Sequence, residues 1–85
     1  MGYEIYLARA AERDLDRLAP PDFERLISKI KALGANPRPA GFRKITGSQN
    51  DWRIRAGDYR IIHFIDDKRK QVHILRVRLR KEVYR

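Results

Sequence analysis

With 85 residues, 20 Lys/Arg against 11 Asp/Glu and a formal net charge of +9, the chain is read as one domain, residues 1–85, since chains of about 55 to 65 residues already fold unaided. It has no cysteine, which excludes disulfides and thiolate chemistry. Its apolar runs are too short to span a bilayer, and Met1-Gly2-Tyr3-Glu4-Ile5 enters a strand-like pattern without a basic leader, so a cytoplasmic protein with no membrane partner is expected.

Tyr3-Glu4-Ile5-Tyr6-Leu7-Ala8 alternates as a strand, with Tyr3, Ile5 and Leu7 on one face. From about Arg9 to Ala19, Ala11, Leu15 and Leu18 recur at i, i+4 and i+7, while Arg9, Glu12, Arg13, Asp16 and Arg17 take the other faces of a short amphipathic helix. No Ser, Thr, Asp or Asn stands as its N-cap, and Pro20-Pro21 ends it. Phe23, Leu26, Ile27, Ile30 and Leu33 make a second helical stripe, with Pro near its start and Gly34 placed as a left-handed C-terminal residue. The two helices form a hairpin whose apolar stripes need a sheet to cover. Asn36-Pro37-Arg38-Pro39-Ala40-Gly41 reads as a crossing loop, anchored by Phe42-Arg43-Lys44-Ile45 ahead of a polar turn, Thr46-Gly47-Ser48-Gln49-Asn50.

Residues 51–65 are two alternating runs either side of Gly57-Asp58. Gly takes the positive φ required at the first central position of a type II′ turn, so this stretch reads as a β-hairpin. Ala56 then faces Tyr59, Arg55 faces Arg60 and Ile54 faces Ile61, with opposed residues on the same side of the sheet. Period 2 gathers Arg53, Arg55 and Arg60 on one face and Trp52, Ile54, Tyr59, Ile61, His63 and Ile65 on the other. Trp52 is read as core rather than as a base-stacking platform. Directly opposed like charges destabilise a sheet, so the arginines are either a solvated surface with packed stems or a cradle for phosphate, whose oxygens a guanidinium fork matches.

Asp66-Asp67-Lys68-Arg69-Lys70 is a charged turn whose acids suit side-chain to backbone bonds better than metal binding. Gln71 to Arg78 resumes alternation as a last strand, and a five-residue loop would set Arg76 across from Arg60 on the cationic face. Arg78-Leu79-Arg80-Lys81-Glu82-Val83-Tyr84-Arg85 ends the chain, densely basic. The charge is lopsided: residues 1–41 carry seven Lys/Arg against six Asp/Glu, net +1, and residues 42–85 carry thirteen against five, net +8. A basic half on a small domain is the footprint of a nucleic-acid binder.

The sequence holds no nucleophilic triad, Gly-rich phosphate loop or zinc-ligand spacing, and the lone strand histidines, His63 and His73, read as structural. No cofactor or metal is expected. A metal-free route to RNA cleavage lets the 2′-OH attack the adjacent phosphorus, so that the protein holds the strand in line, neutralises developing charge and moves two protons.

The order of elements, with Trp52-Arg53-Ile54-Arg55-Ala56-Gly57-Asp58-Tyr59-Arg60-Ile61-Ile62, Ile74-Leu75-Arg76-Val77 and Arg80-Lys81-Glu82-Val83-Tyr84-Arg85, resembles the RelE toxins of bacterial toxin–antitoxin systems over nearly the whole chain. The resemblance implies an α+β fold: an N-terminal strand, a helical hairpin, then an antiparallel sheet with the helices on one face. It also implies a ribosome-dependent mRNA endonuclease, restrained by a RelB-like antitoxin that wraps the toxin. By position, Arg53 and Arg55 match the two basic second-strand positions, Arg60 the arginine on the scissile phosphate, Arg80 the arginine near the leaving group, and Tyr84 the tyrosine that positions the base or the 2′-OH. The catalytic set implied is therefore Arg55, Arg60, Arg80 and Tyr84, with Arg53, Arg76, Arg78 and Lys81 binding RNA.

Two departures from the family leave the general base open. The strand positions are often Lys in relatives, whereas arginine is a poor base. Arg78-Leu79 also replaces a frequent Gly-His. Tyr84, Glu82 and solvent remain candidates. Two other readings stand beside the nuclease: a ParE-like toxin that inhibits DNA gyrase by binding, and a non-catalytic RNA-binding module.

Overall fold

The computed structural model describes residues 2–39, 43–44 and 51–79. In chain order these form β1 (Glu4–Leu7), α1 (Arg9–Asp16), α2 (Pro20–Ala35), β2 (Arg43–Lys44), β3 (Asp51–Ala56), β4 (Tyr59–Asp66) and β5 (Gln71–Leu79). The strands make one five-stranded sheet in the order β1-β5-β4-β3-β2. β3, β4 and β5 pair antiparallel, as expected, with β2 added antiparallel to β3, while β1 joins β5 in parallel. The helical hairpin makes that parallel return possible, because parallel neighbours need a long crossover rather than a tight turn.

Helix α1 starts after Ala8, an extended residue with no side-chain cap, in line with the missing cap residue in the sequence. It stops at Asp16, three residues before the expected Ala19, where the Leu18 N–H turns back to the Leu15 carbonyl at 3.1 Å. Helix α2 opens on Pro20 and Pro21, whose missing N–H groups fall among donors the first helical turn leaves unpaired anyway.

Gly34 corrects the sequence reading. It lies inside α2, and Gly57 is the glycine with positive φ among the described residues. A Cβ on Gly34 would stand 3.1 Å from the Tyr3 carbonyl oxygen, and the Gly34 carbonyl accepts the Tyr3 N–H at 2.7 Å. Glycine here lets β1 and α2 approach backbone to backbone.

Both helices cover one face of the sheet. Ala11 and Leu15 of α1 and Leu26, Ile30 and Leu33 of α2 pack on Ile54, Ala56, Ile61, Val72, Ile74 and Val77. Full burial of such side chains stabilises by about 1.5–3 kcal/mol each for the larger ones, so this layer fixes the helices on the sheet. Phe23, expected in the α2 stripe, remains 38% exposed, and Trp52 is half-buried outside the central cluster. The opposite face of the sheet has no helix among the described residues.

Candidate functional site

The β3–β4 hairpin has the register its turn dictates: Ala56 opposes Tyr59, Arg55 opposes Arg60 and Ile54 opposes Ile61. Gly57 has φ 63° and Asp58 is not among the residues with positive φ, the combination of a type II′ turn. A Cβ on Gly57 would meet the Arg25 guanidinium at 2.8 Å, so glycine also admits the α2 side chain that lies over the turn.

On the face away from the helices, register arranges side chains in rows across the strands. Arg55, Arg60 and Arg78 are directly opposed on β3, β4 and β5; with strands about 4.8 Å apart, this row is about 10 Å wide. The next row, about 6.6 Å along, holds Arg43, Arg53 and Ile62. Beyond it come Asp51, Phe64, His73 and Tyr6. Arg43 and Arg55 are exposed and Arg53 and Arg78 half-buried, whereas Arg60 is only 7% exposed. The cationic face is therefore not a uniformly solvated floor; Arg60, at its centre, is a mostly buried residue. Arg78 also lines a cleft of about 310 Å³ between α1 and β5, together with Asp14, Arg17, Tyr59 and Arg76.

Arg76 does not stand across from Arg60. The β4–β5 loop is one residue shorter than expected, since Asp66 pairs with Gln71. A bulge then adds a further shift: His63 pairs with Ile74 but Ile62 with Arg76, leaving Leu75 without its own partner on β4. Arg76 is opposed to Ile62, and its guanidinium reaches α1, where its Nε donates to Asp14 Oδ2 at 2.8 Å and its Nη2 to Asp14 Oδ1 at 3.1 Å. Arg80, Lys81, Glu82 and Tyr84 lie outside the described residues. Arg43 was missed because a two-residue strand has no periodicity to read; the basic pair between Phe42 and Ile45 was the available signal.

The remaining polar groups build scaffold. Asp66 Oδ1 accepts the Arg69 N–H at 3.0 Å, the turn chemistry expected of it. Asp67 accepts two guanidinium bonds from Arg38, at 2.8 and 3.1 Å, and the Tyr3 hydroxyl at 2.7 Å. Arg38 and then Tyr3 hold its carboxyl down at about 2. This cluster ties β1 and the loop after α2 to the far end of the β4–β5 hairpin. His63 is fully buried, with Nε2 3.3 Å from the Pro37 carbonyl oxygen. Burial pushes its imidazole below the ordinary value, and the ring is structural. His73 lies on the other face, stacked on Tyr6 at 5.1 Å. Among the described residues no three His, Asp or Glu side chains are grouped to hold a metal ion, and no helix is long and apolar enough to cross a membrane.

Known proteins share this architecture. A family model described as the ParE toxin of the type II toxin–antitoxin system matches residues 5–84. Toxin RelG of Mycobacterium tuberculosis is 32% identical over 89 residues, spanning 100% of this chain and 99% of that protein. The archaeal RelE–RelB complex of Pyrococcus horikoshii aligns with a TM-score of 0.83 at 26% identity, covering 94% of this chain and 97% of the matched one. A RelBE toxin–antitoxin complex of M. tuberculosis aligns with a TM-score of 0.83 at 27% identity, covering 94% and 100%. With a match across residues 5–84 and a full-length relative of this identity, the chain belongs to the ParE toxin family within the RelE/ParE superfamily and is a toxin of a type II toxin–antitoxin system.

Proposed function

We propose that this toxin is a metal-independent endoribonuclease that cuts mRNA on the ribosome in the cytoplasm. The observation that supports this reading most is the row Arg55–Arg60–Arg78 backed by Arg53 on the helix-free face of the sheet. Opposed guanidiniums repel one another, and a phosphodiester laid across them offsets that repulsion with charge-assisted hydrogen bonds.

In this mechanism the 2′-OH of one nucleotide loses its proton and its oxygen bonds to the adjacent phosphorus. The bond from phosphorus to the 5′ oxygen breaks, and that oxygen takes up a proton. The products are a 2′,3′-cyclic phosphate and a 5′-hydroxyl. Arg60 binds the non-bridging oxygens as charge develops on them, and Arg55 assists from the next strand. Arg53, Arg78 and Lys81 hold the flanking backbone, a positioning role that carries no sequence information. By resemblance, Arg80 serves the leaving oxygen and Tyr84 orients the base or the 2′-OH. Tyr84, Glu82 and solvent are the candidates for the proton acceptor. In this proposal Arg76, bonded to Asp14, is assigned to the scaffold.

An antitoxin is the proposed partner, since similar folds occur in toxin–antitoxin complexes, and a chain of net charge +9 calls for an acidic cover. The test is primer extension on ribosome-bound mRNA after induction of the toxin, which should show discrete cuts in coding frame. The match to a ParE family model favours a second reading, gyrase inhibition by binding. Intact mRNA together with loss of gyrase supercoiling would select it.

A further inference from the structure

The last turn of α1 carries a carboxylate, Asp14, in a place that does not favour one. Negative charge near a helix C-terminus opposes the helix dipole, and the Asp14 side chain is only 9% exposed. Its surroundings account for it. Besides the two guanidinium bonds from Arg76, Asp14 Oδ2 accepts the backbone N–H of Val77 at 2.9 Å. Burial raises the carboxyl's proton affinity, but the bonds from Arg76 and Val77 outweigh burial and hold it below the ordinary value. Ala11 and Leu15, on the same helix, are buried in the core, so the carboxylate is fixed relative to the sheet.

The group it grips is the bulge. Val72 and Ile74 face the core, and strict alternation would bring residues 76 and 78 inward and turn Val77 out. Instead Val77 is buried opposite Ile61 and Arg78 opposes Arg60. The extra residue achieves this switch, and β1, which pairs with β5 only as far as Leu7 opposite Ile74, leaves the β5 edge beyond Ile74 open to α1. Asp14 supplies an acceptor for the Val77 N–H and a counter-charge for Arg76.

We infer that Asp14 is a positioning residue: by pinning the β5 bulge from α1, it sets the register that opposes Arg78 to Arg60. Its consequence for cleavage rests on the nuclease function proposed above, whereas its consequence for strand register does not. Removing the acceptor frees β5 to slip by one residue, which would reverse the face of every side chain after Ile74 that the slip includes.

Deletion of Arg76 provides the decisive comparison. Without that residue the sequence after Ile74 alternates regularly, with Val77 in and Arg78 out, so no bulge needs a pin. Three variants are made in the full chain: Asp14→Ala, Asp14→Ala with Arg76→Ala, and Asp14→Ala with Arg76 deleted. Register is read by NMR, from the cross-strand contacts Arg60 to Arg78 and Ile61 to Val77 and from amide exchange at Val77. Single-turnover mRNA cleavage is measured on programmed ribosomes.

Asp14→Ala should lose the Arg60–Arg78 contact and the Val77 protection and should slow cleavage by about a hundredfold, the scale of a misplaced group. Deletion of Arg76 should restore the Arg60–Arg78 contact and the cleavage rate but not the Val77 protection, whose acceptor is gone; Arg76→Ala should restore neither contact nor rate. Wild-type register in Asp14→Ala overturns the assignment. So does equal rescue by Arg76→Ala, which would leave Asp14 as an ion-pair partner alone. If Asp14→Ala fails to fold, the deletion variant must still fold with Arg60 opposite Arg78, and its failure also overturns the assignment. A wild-type protein that shows the register but cuts no mRNA removes the nuclease reading and leaves the pin standing.

Discussion

Arg60→Met takes one charge from the middle of the cationic row and keeps most of the apolar stem that Arg60 buries. Arg60 stands between Arg55 and Arg78, and each directly opposed like-charge pair disfavours the sheet by roughly 0.2–1 kcal/mol. Relief of two such pairs offsets much of what a charged group's interactions contribute, roughly 1.5–3 kcal/mol where they are hydrogen bonds. The expected net change in stability is about 1 kcal/mol, or roughly 4–8 °C in Tm for a domain of this size. The protein therefore stays folded at 25 °C, given a stability of about 5–15 kcal/mol. Cleavage behaves differently, because loss of a donor aimed at charge that develops in the transition state lowers the rate by about a hundred- to a thousandfold. The assay is single-turnover cleavage of labelled mRNA on programmed ribosomes, with binding followed in parallel by ribosome sedimentation. Sedimentation should be largely retained and the rate should fall. A rate within about tenfold of wild type would refute the placement of the phosphate at Arg60.

Further expectations follow from other parts of the molecule. Affinity for RNA should drop steeply with salt, and Arg53→Ala should reduce the slope of log K against log salt by about one while leaving the cleavage step itself nearly unchanged; a flat salt response in the wild type would count against a nucleic-acid target. Gly34→Ala should lower Tm despite the better helix propensity of alanine, since the new Cβ meets the Tyr3 carbonyl at 3.1 Å and such overpacking costs about 1–3 kcal/mol; a raised Tm would show that β1 yields easily. Burial depresses the His63 pKa, so below the ordinary value of about 6.5 the unfolded chain binds the proton more readily and stability falls as pH drops. His63→Gln should flatten that dependence in thermal melts between pH 7 and 5, and an unchanged pH profile would contradict the assignment. Asp67, held at about 2, stabilises above the ordinary carboxylate range and loses its contribution as pH falls toward 2. Asp67→Asn should remove this acid-limb dependence, read from melts between pH 4 and 2.

What could be read from the sequence was what local chemistry decides. Gly57-Asp58 specifies its own turn, and a two-residue turn fixes register, so Arg55 opposite Arg60 followed from that dipeptide. The buried stripe of α2 at Leu26, Ile30 and Leu33 followed from helical spacing. Features set by distant partners were not legible. Gly34 looked like a helix stop because glycine commonly ends helices, but its reason is the Tyr3 backbone 31 positions earlier in the chain. The position of Arg76 depends on a bulge held by Asp14, 62 residues away. One local sign did exist: the core positions Val72, Ile74 and Val77 break a period of two. The strand β2 is only two residues long, too short for any pattern, and it brings Arg43 to the cationic face solely through pairing with β3. Within the cationic face Arg53, Arg55 and Arg60 were foreseeable from alternation, while Arg43, the placement of Arg78 opposite Arg60 and the burial of Arg60 were not.

The most direct test of the central claim is made on the RNA rather than on the protein. Ribosomes carrying mRNA with a single 2′-deoxy nucleotide on the 5′ side of the mapped cut are compared with all-ribose controls, and the ends of the control fragments are determined. Attack by the 2′-OH predicts that the deoxy substitution abolishes the cut, and that control fragments carry a 2′,3′-cyclic phosphate and a 5′-hydroxyl. Continued cutting at the deoxy position, or fragments ending in a 5′-phosphate, would contradict it.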